Sequence, residues 1–172
     1  MRRVSGIDDV RLKQTLLTQH DVIARDQGLS CGMTDAVLRY RIRPGGPWQK
    51  VLPGVYLALT GAVTANQREM AALLHAGPRS VITGSVAARR NGVRTPASNL
   101  VDVLVPAEVR RQSSAFVRVQ RTTRMPSQIC TTGEVRFAGT ARAVADTARA
   151  LTAFRDVRAV VADAVQKRLC SI

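Results

Sequence analysis

The sequence predicts an α+β fold in two parts, and three observations carry that prediction. Residues 22–56 hold two short helical segments around Gly32-Met33-Thr34, followed at once by a hairpin pattern. Downstream, strong strand segments at 100–105 and 116–121 lie among helical segments. The length of 172 residues suits one domain or two small ones, with enough chain to bury a core unaided. The expected division is residues 1–60 and residues 61–172.

The stretch 22–56 is the most informative. Residues 25–31 can form a short helix that buries Leu29. Gly32 tolerates the positive φ of a sharp turn, and Met33 plugs that turn. Thr34 can cap the next helix with its hydroxyl, and Asp35 suits the helix dipole in the first turn. That helix is expected to run to about Arg43. Leu38 and Ile42 share one face, with Met33 and Val37 near it, while Ala36, Arg39, Tyr40 and Arg43 point the other way. Pro44-Gly45-Gly46-Pro47 ends it. Residues 48–52, Pro53-Gly54 and residues 55–59 read as a hairpin with a type II turn. A helix pair followed directly by such a hairpin is the pattern of a winged helix-turn-helix.

The segments GMTDAVLRYRI and PWQKVLPGVY resemble the N-terminal domain of AbiEi-type antitoxins and their actinobacterial relatives. The residues that carry the likeness are Val22-Ile23, Gly32-Met33-Thr34, Trp48 and Pro53-Gly54-Val55-Tyr56. Similar residues recur at Gln67-Arg68, at 103–106, at Met125-Pro126 and at Thr140-Ala141-Arg142. The likeness thus spans nearly the whole chain and is most specific in its first third. It implies transcriptional autoregulation and, as in some members, neutralisation of a nucleotidyltransferase toxin, so a protein toxin is a second implied partner. Longer relatives add a C-terminal endonuclease domain. This chain stops about where that domain would begin, so the resemblance carries no nuclease function over.

Composition points to a polyanionic partner. Lys and Arg number 26 against 12 Asp and Glu, a formal charge of +14. That balance favours nucleic acid. A ribosome-like or membrane-surface protein could share it, but here the charge is spread over folded-looking segments rather than gathered in a tail. Residues 58–138 are the most basic, so the second part is expected to touch phosphate too. Aromatics make up 3%, which leaves the core to Ala, Val, Leu and Ile. Three cysteines without a CxxC, and two distant histidines, indicate neither a disulfide framework nor a metal site. No apolar run approaches a membrane span, and Met1-Arg2-Arg3 precedes no signal-like segment, so a cytoplasmic location is expected.

In chain order, residues 1–8 are polar and expected to fray. Residues 9–20 should form a helix with Val10, Lys13, Leu16, Leu17 and His20 near one face and Leu12 beside it. Residues 21–23 should be a strand that pairs with the hairpin. Thr64 and Gln67 match a capping box for a helix that stops at Gly77-Pro78. A brief strand at 81–82 precedes a helix at 86–90. Arg89 and Arg90 on it are phosphate contacts or a solvated face. Strands follow at 100–105, 116–121 and 135–137. Thr140 and Thr152 are expected to cap two final helices. The last carries Phe154, Val157, Val161, Ala164, Val165 and Leu169 as a stripe, suited to a core or to a dimer face; monomer and homodimer both stay open.

No nucleophile elbow, Walker loop or zinc-protease motif is present, so no catalytic residue, metal or cofactor is expected. The one enzyme-like set is Asp102 with Glu134-Val135-Arg136, a loose match to metal-dependent nucleases in which Arg stands where a lysine would be. A β-sheet with ordinary charges explains it better. The favoured function is sequence-specific duplex DNA binding by a bacterial transcriptional repressor. Alternatives are an antitoxin that acts mainly on a protein toxin, and a nuclease-related enzyme. The expected DNA contacts are Thr34, Arg39, Tyr40 and Arg43 on the helix, Gln49 and Lys50 on the wing, and Arg89 and Arg90 beyond it. Arg39 is the expected base reader and Lys50 a phosphate contact. Trp48 is expected at the buried root of the wing, with the role of Arg41 open.

Overall fold

The computed structural model describes residues 6–170. The chain is an α+β protein that divides into two compact units, residues 1–75 and 76–172. The division falls at the last residue of the helix Ala65–Ala76, so that helix belongs almost wholly to the first unit and not to the expected second part.

The first unit runs α1 (Asp9–Thr18), β1 (Val22–Ala24), α2 (Arg25–Ser30), α3 (Asp35–Arg41), β2 (Gln49–Leu52), β3 (Val55–Leu57) and α4 (Ala65–Ala76). Its strands form one antiparallel sheet in the order β1-β3-β2. Ile23 lies opposite Tyr56 on one side, and Lys50 opposite Tyr56 on the other. The helices close on this sheet around Leu12, Ile23, Cys31, Met33, Leu38, Trp48 and Tyr56. Local chemistry sets the joints. Gly32 takes φ +85° between α2 and α3. The Thr34 hydroxyl accepts the Val37 N–H at 3.2 Å, as a cap should. Gly54 takes φ +72°, the positive value that a type II turn needs at that place. Thr64 and Gln67 exchange both capping-box hydrogen bonds, at 2.9 and 3.3 Å.

Three expectations for this unit are corrected. Residues 6–8 are not frayed: Ile7 packs on the core and the Asp8 N–H reaches the Cys31 carbonyl at 2.9 Å. The expectation for residues 1–5 lies outside the described residues. Helix α1 turns Leu12 and Leu16 inward, while Val10 and Leu17 are 81% and 75% exposed. The apolar residues of this helix fall on two faces, and tertiary packing selected one. Helix α3 ends at Arg41, not Arg43, because the Trp48 N–H takes the Arg41 carbonyl and draws the chain into the hairpin.

The second unit runs β4 (Val81–Thr83), α5 (Gly84–Arg90), β5 (Val101–Pro106), β6 (Val117–Thr122), β7 (Ile129–Thr132), β8 (Val135–Ala138), α6 (Thr140–Ala150) and α7 (Phe154–Gln166). The strands form a mixed sheet in the order β6-β5-β4-β8-β7. Helix α5 packs on β4 and β5, and against α6, which in turn packs on α7. Buried alanines, Ala87, Ala88 and Ala143, bring α5 and α6 close. Strand β7 was not expected, since every residue of it is exposed and no alternating pattern marks it. Thr140 is the first residue of α6, and Gly139 holds the cap position, its N–H tied to the Gln128 carbonyl at 2.9 Å. Thr152 does not cap α7 either; that place belongs to Ala153. Of the expected stripe on α7 only Ala164 is buried, Phe154 is 79% exposed, and the helix instead turns Val160, outside that stripe, into the core.

Helix α7 is fastened to the loop after α5 by Asp163. Its carboxylate accepts the Arg94 N–H and the Lys167 ammonium, both at 2.8 Å. The hydrogen bond from Lys167, then that from Arg94, holds the Asp163 carboxyl below the usual aspartate range. A carboxylate with a lowered folded pKa adds stability above its unfolded pKa, and that share is lost as pH falls through the folded value. Asp163→Asn is therefore expected to lower Tm at neutral pH and to leave less difference from wild type at strongly acid pH. Thermal melts across the acid limb, at low salt, check this.

Candidate nucleic-acid interface

The exposed side of α3 is polar because its other side is committed to the core. Leu38 is buried, and Val37 and Ile42 are half-buried behind it. Thr34, Arg39 and Tyr40 face solvent, and Tyr40 is 58% exposed. Arg43 lies just past the helix end, with its guanidinium carbon 3.9 Å from the centre of the Tyr40 ring and Nη2 3.3 Å from the phenol oxygen. Such stacking keeps the charge exposed while stiffening both side chains. The Arg39 Nε donates to the Asp35 carbonyl at 3.3 Å, one turn back.

The hairpin contributes less evenly. Lys50 is exposed on β2. Gln49 is half-buried, and its amide donates to the Gly61 carbonyl at 2.9 Å, which ties the hairpin to the chain that follows it. Trp48 is 6% exposed at the hairpin root. Arg41 lies 4.7 Å above the centre of its ring, which assigns Arg41 to the hairpin joint.

Six of the eight expected side chains thus lie along α3, at its two ends and on the adjoining hairpin. Arg89 and Arg90 sit in the second unit, at the end of α5. The Arg89 guanidinium donates to the Thr95 hydroxyl at 3.0 Å and to the Pro96 carbonyl at 3.3 Å. Arg90 lies over the Phe137 ring at 5.8 Å. Their unit holds sixteen Lys and Arg against six Asp and Glu; the first unit holds ten against six.

One pairing on this surface escaped the sequence reading, which gave Asp35 only a part in the helix dipole. Arg25 opens α2, and Asp35 opens α3. The Arg25 Nη2 donates to both carboxylate oxygens of Asp35, at 2.6 and 2.8 Å. A cleft of about 370 Å³ beside the pair is lined by Arg25, Asp35, Leu38, Arg39, Ile42 and Tyr56. No local pattern marks the pair, because α2 already carries Asp26 in its first turn to meet the helix dipole.

The nuclease-like set does not assemble. Asp102 lies opposite Thr83, the last residue of β4, whereas Glu134 precedes β8, whose Phe137 lies opposite Ile82. Asp102 and Glu134 therefore belong to opposite ends of the sheet. Asp102 is already occupied: it accepts two bonds from Arg118, one of them 2.9 Å long, and one from the Gln120 amide at 3.0 Å. A Cβ on Gly84 would come within 2.8 Å of its Oδ2. The Asp102 hydrogen bond raises the Arg118 pKa further, so that guanidinium stays cationic. Arg136 donates to the Ser80 carbonyl at 3.2 Å.

No known protein family matches the chain, and no curated protein does.

Proposed function

We propose that the first unit is a winged helix-turn-helix, and that the protein binds duplex DNA in a sequence-specific way as a bacterial transcriptional repressor. The observation that carries this reading is the division of α3. One face is locked into the core, while Arg39, Tyr40 and the stacked Arg43 stand exposed beside a hairpin that presents Lys50. A helix so placed can enter the major groove while the hairpin contacts the backbone. The charge of +14 suits a polyanion, and the second unit supplies most of it. The likeness to AbiEi-type antitoxins favours autoregulation and an antitoxin-like ancestry. Among the described residues no helix is long and apolar enough to cross a membrane, and a repressor would act in the cytoplasm.

The test is fluorescence anisotropy with the protein's own promoter region and a scrambled duplex, at several salt concentrations. Wild type is expected to prefer the promoter. Arg39→Ala is expected to remove ~1–3 kcal/mol of that preference, the worth of a bidentate arginine–guanine contact. A steep salt slope with equal binding to both duplexes would overturn the specific-repressor reading.

A further inference from the structure

The pairing of Arg25 with Asp35 sits where α3, α2 and the hairpin turn converge. The Arg25 backbone N–H donates to the Gly54 carbonyl of the turn at 2.8 Å, while its side chain reaches the first residue of α3. The two side chains are 49% and 56% exposed, so the pair is a surface feature, not part of the core. Arg39 folds back toward the same point through its bond to the Asp35 carbonyl.

An ion pair at this place has an unusual consequence for a protein of such positive charge. An exposed pair contributes little to stability, since both partners are well solvated when apart. A free arginine beside a reading helix would instead meet phosphate, and would do so on any sequence. With Asp35 in place, a phosphate must displace a carboxylate from Arg25 and then lie close to that carboxylate. That cost does not depend on the bases. We propose that Asp35 is a specificity-determining residue: it holds Arg25 away from the DNA backbone and so lowers sequence-independent affinity. The inference rests on the reading of α3 as the element that enters the groove.

The experiment measures binding of the full chain to a random-sequence duplex against salt concentration, for wild type, Asp35→Asn, Arg25→Ala and the double variant. Each phosphate contact adds about 0.9 to the slope of log K against log salt. Asp35→Asn is expected to steepen the slope by about 0.9, which corresponds to roughly eightfold tighter binding at ~0.1 M salt relative to a ~1 M reference. Arg25→Ala alone is expected to leave the slope unchanged. In the Asp35→Asn background it should restore the wild-type slope. An unchanged slope in a folded Asp35→Asn protein would overturn the proposal. So would a loss of about 0.9 in Arg25→Ala alone, because Arg25 would then already contact phosphate with Asp35 present. Arg25→Ala keeps the proposal open to refutation even if Asp35→Asn lowers Tm. Wild type that binds neither promoter nor random duplex would remove the DNA reading and the proposal together. Wild type that binds, with an unaltered Asp35→Asn slope, would remove the proposal alone.

Discussion

Asp146→Ala is expected to destabilise the second unit by about 3 kcal/mol. The Asp146 side chain is 1% exposed. It accepts the Thr83 hydroxyl at 2.7 Å, the Arg142 Nε at 2.8 Å and the Arg149 Nη1 at 3.3 Å. The alanine variant strands the Thr83 hydroxyl, which is wholly buried, at a cost of ~1–3 kcal/mol. The arginines lose less. Arg142 is 26% exposed and Arg149 74%, so both retain water when the carboxylate goes, and the full penalty for breaking a buried pair does not apply. Urea unfolding followed by circular dichroism measures the change. Thr83→Val combined with Asp146→Ala is expected to cost less than the sum of the two, because the shared hydrogen bond is then removed from both sides. Strict additivity would mean that the bond from Thr83 to Asp146 contributes nothing.

Trp48→Ala is expected to cost the first unit ~3–5 kcal/mol, the usual range for the loss of a large buried aromatic. Trp48 belongs to the cluster that joins α1, β1, α3 and β3, and its backbone N–H accounts for the end of α3. The variant keeps that N–H but removes the ring packed between the hairpin root and the helices. Binding to promoter DNA is expected to fall with it wherever temperature exceeds the lowered Tm. Trp48→Phe should recover most of the stability by refilling much of the cavity. Arg41→Ala should lose only ~0.5–1 kcal/mol, the size of an exposed cation–π contact. Thermal melts of the three variants give the order. A Trp48→Ala protein as stable as wild type would mean that the cluster is not the core of this unit.

The local grammar of the chain was legible in its residues wherever a single turn or cap decides the backbone. Gly32, Thr34, Pro53-Gly54 and the Thr64 with Gln67 pair each do what their side chains dictate within three or four residues. The exposed set on α3 was legible for the same reason: Leu38 and Ile42 at helical spacing place Arg39 and Tyr40 opposite them. Caps failed where tertiary contacts set the entry to a helix, as at Gly139, whose N–H is held by Gln128 from a distant segment.

Partners far apart in sequence are chosen by packing. Helix α1 carries apolar residues on two faces, and only the sheet behind it selects Leu12 and Leu16 over Val10 and Leu17. Strand β7 exists because β8 offers it an edge, not because its exposed residues form a pattern. Asp102 could stand for a metal ligand until Arg118 and Gln120, on the neighbouring strand, are seen to fill its oxygens. Arg25 and Asp35 become a pair only when two helix starts are brought together. Helix period and turn chemistry are properties of neighbouring residues and can be read from them directly. The register of strands and the partner of a charge depend on where distant segments meet, and only the folded chain could settle them.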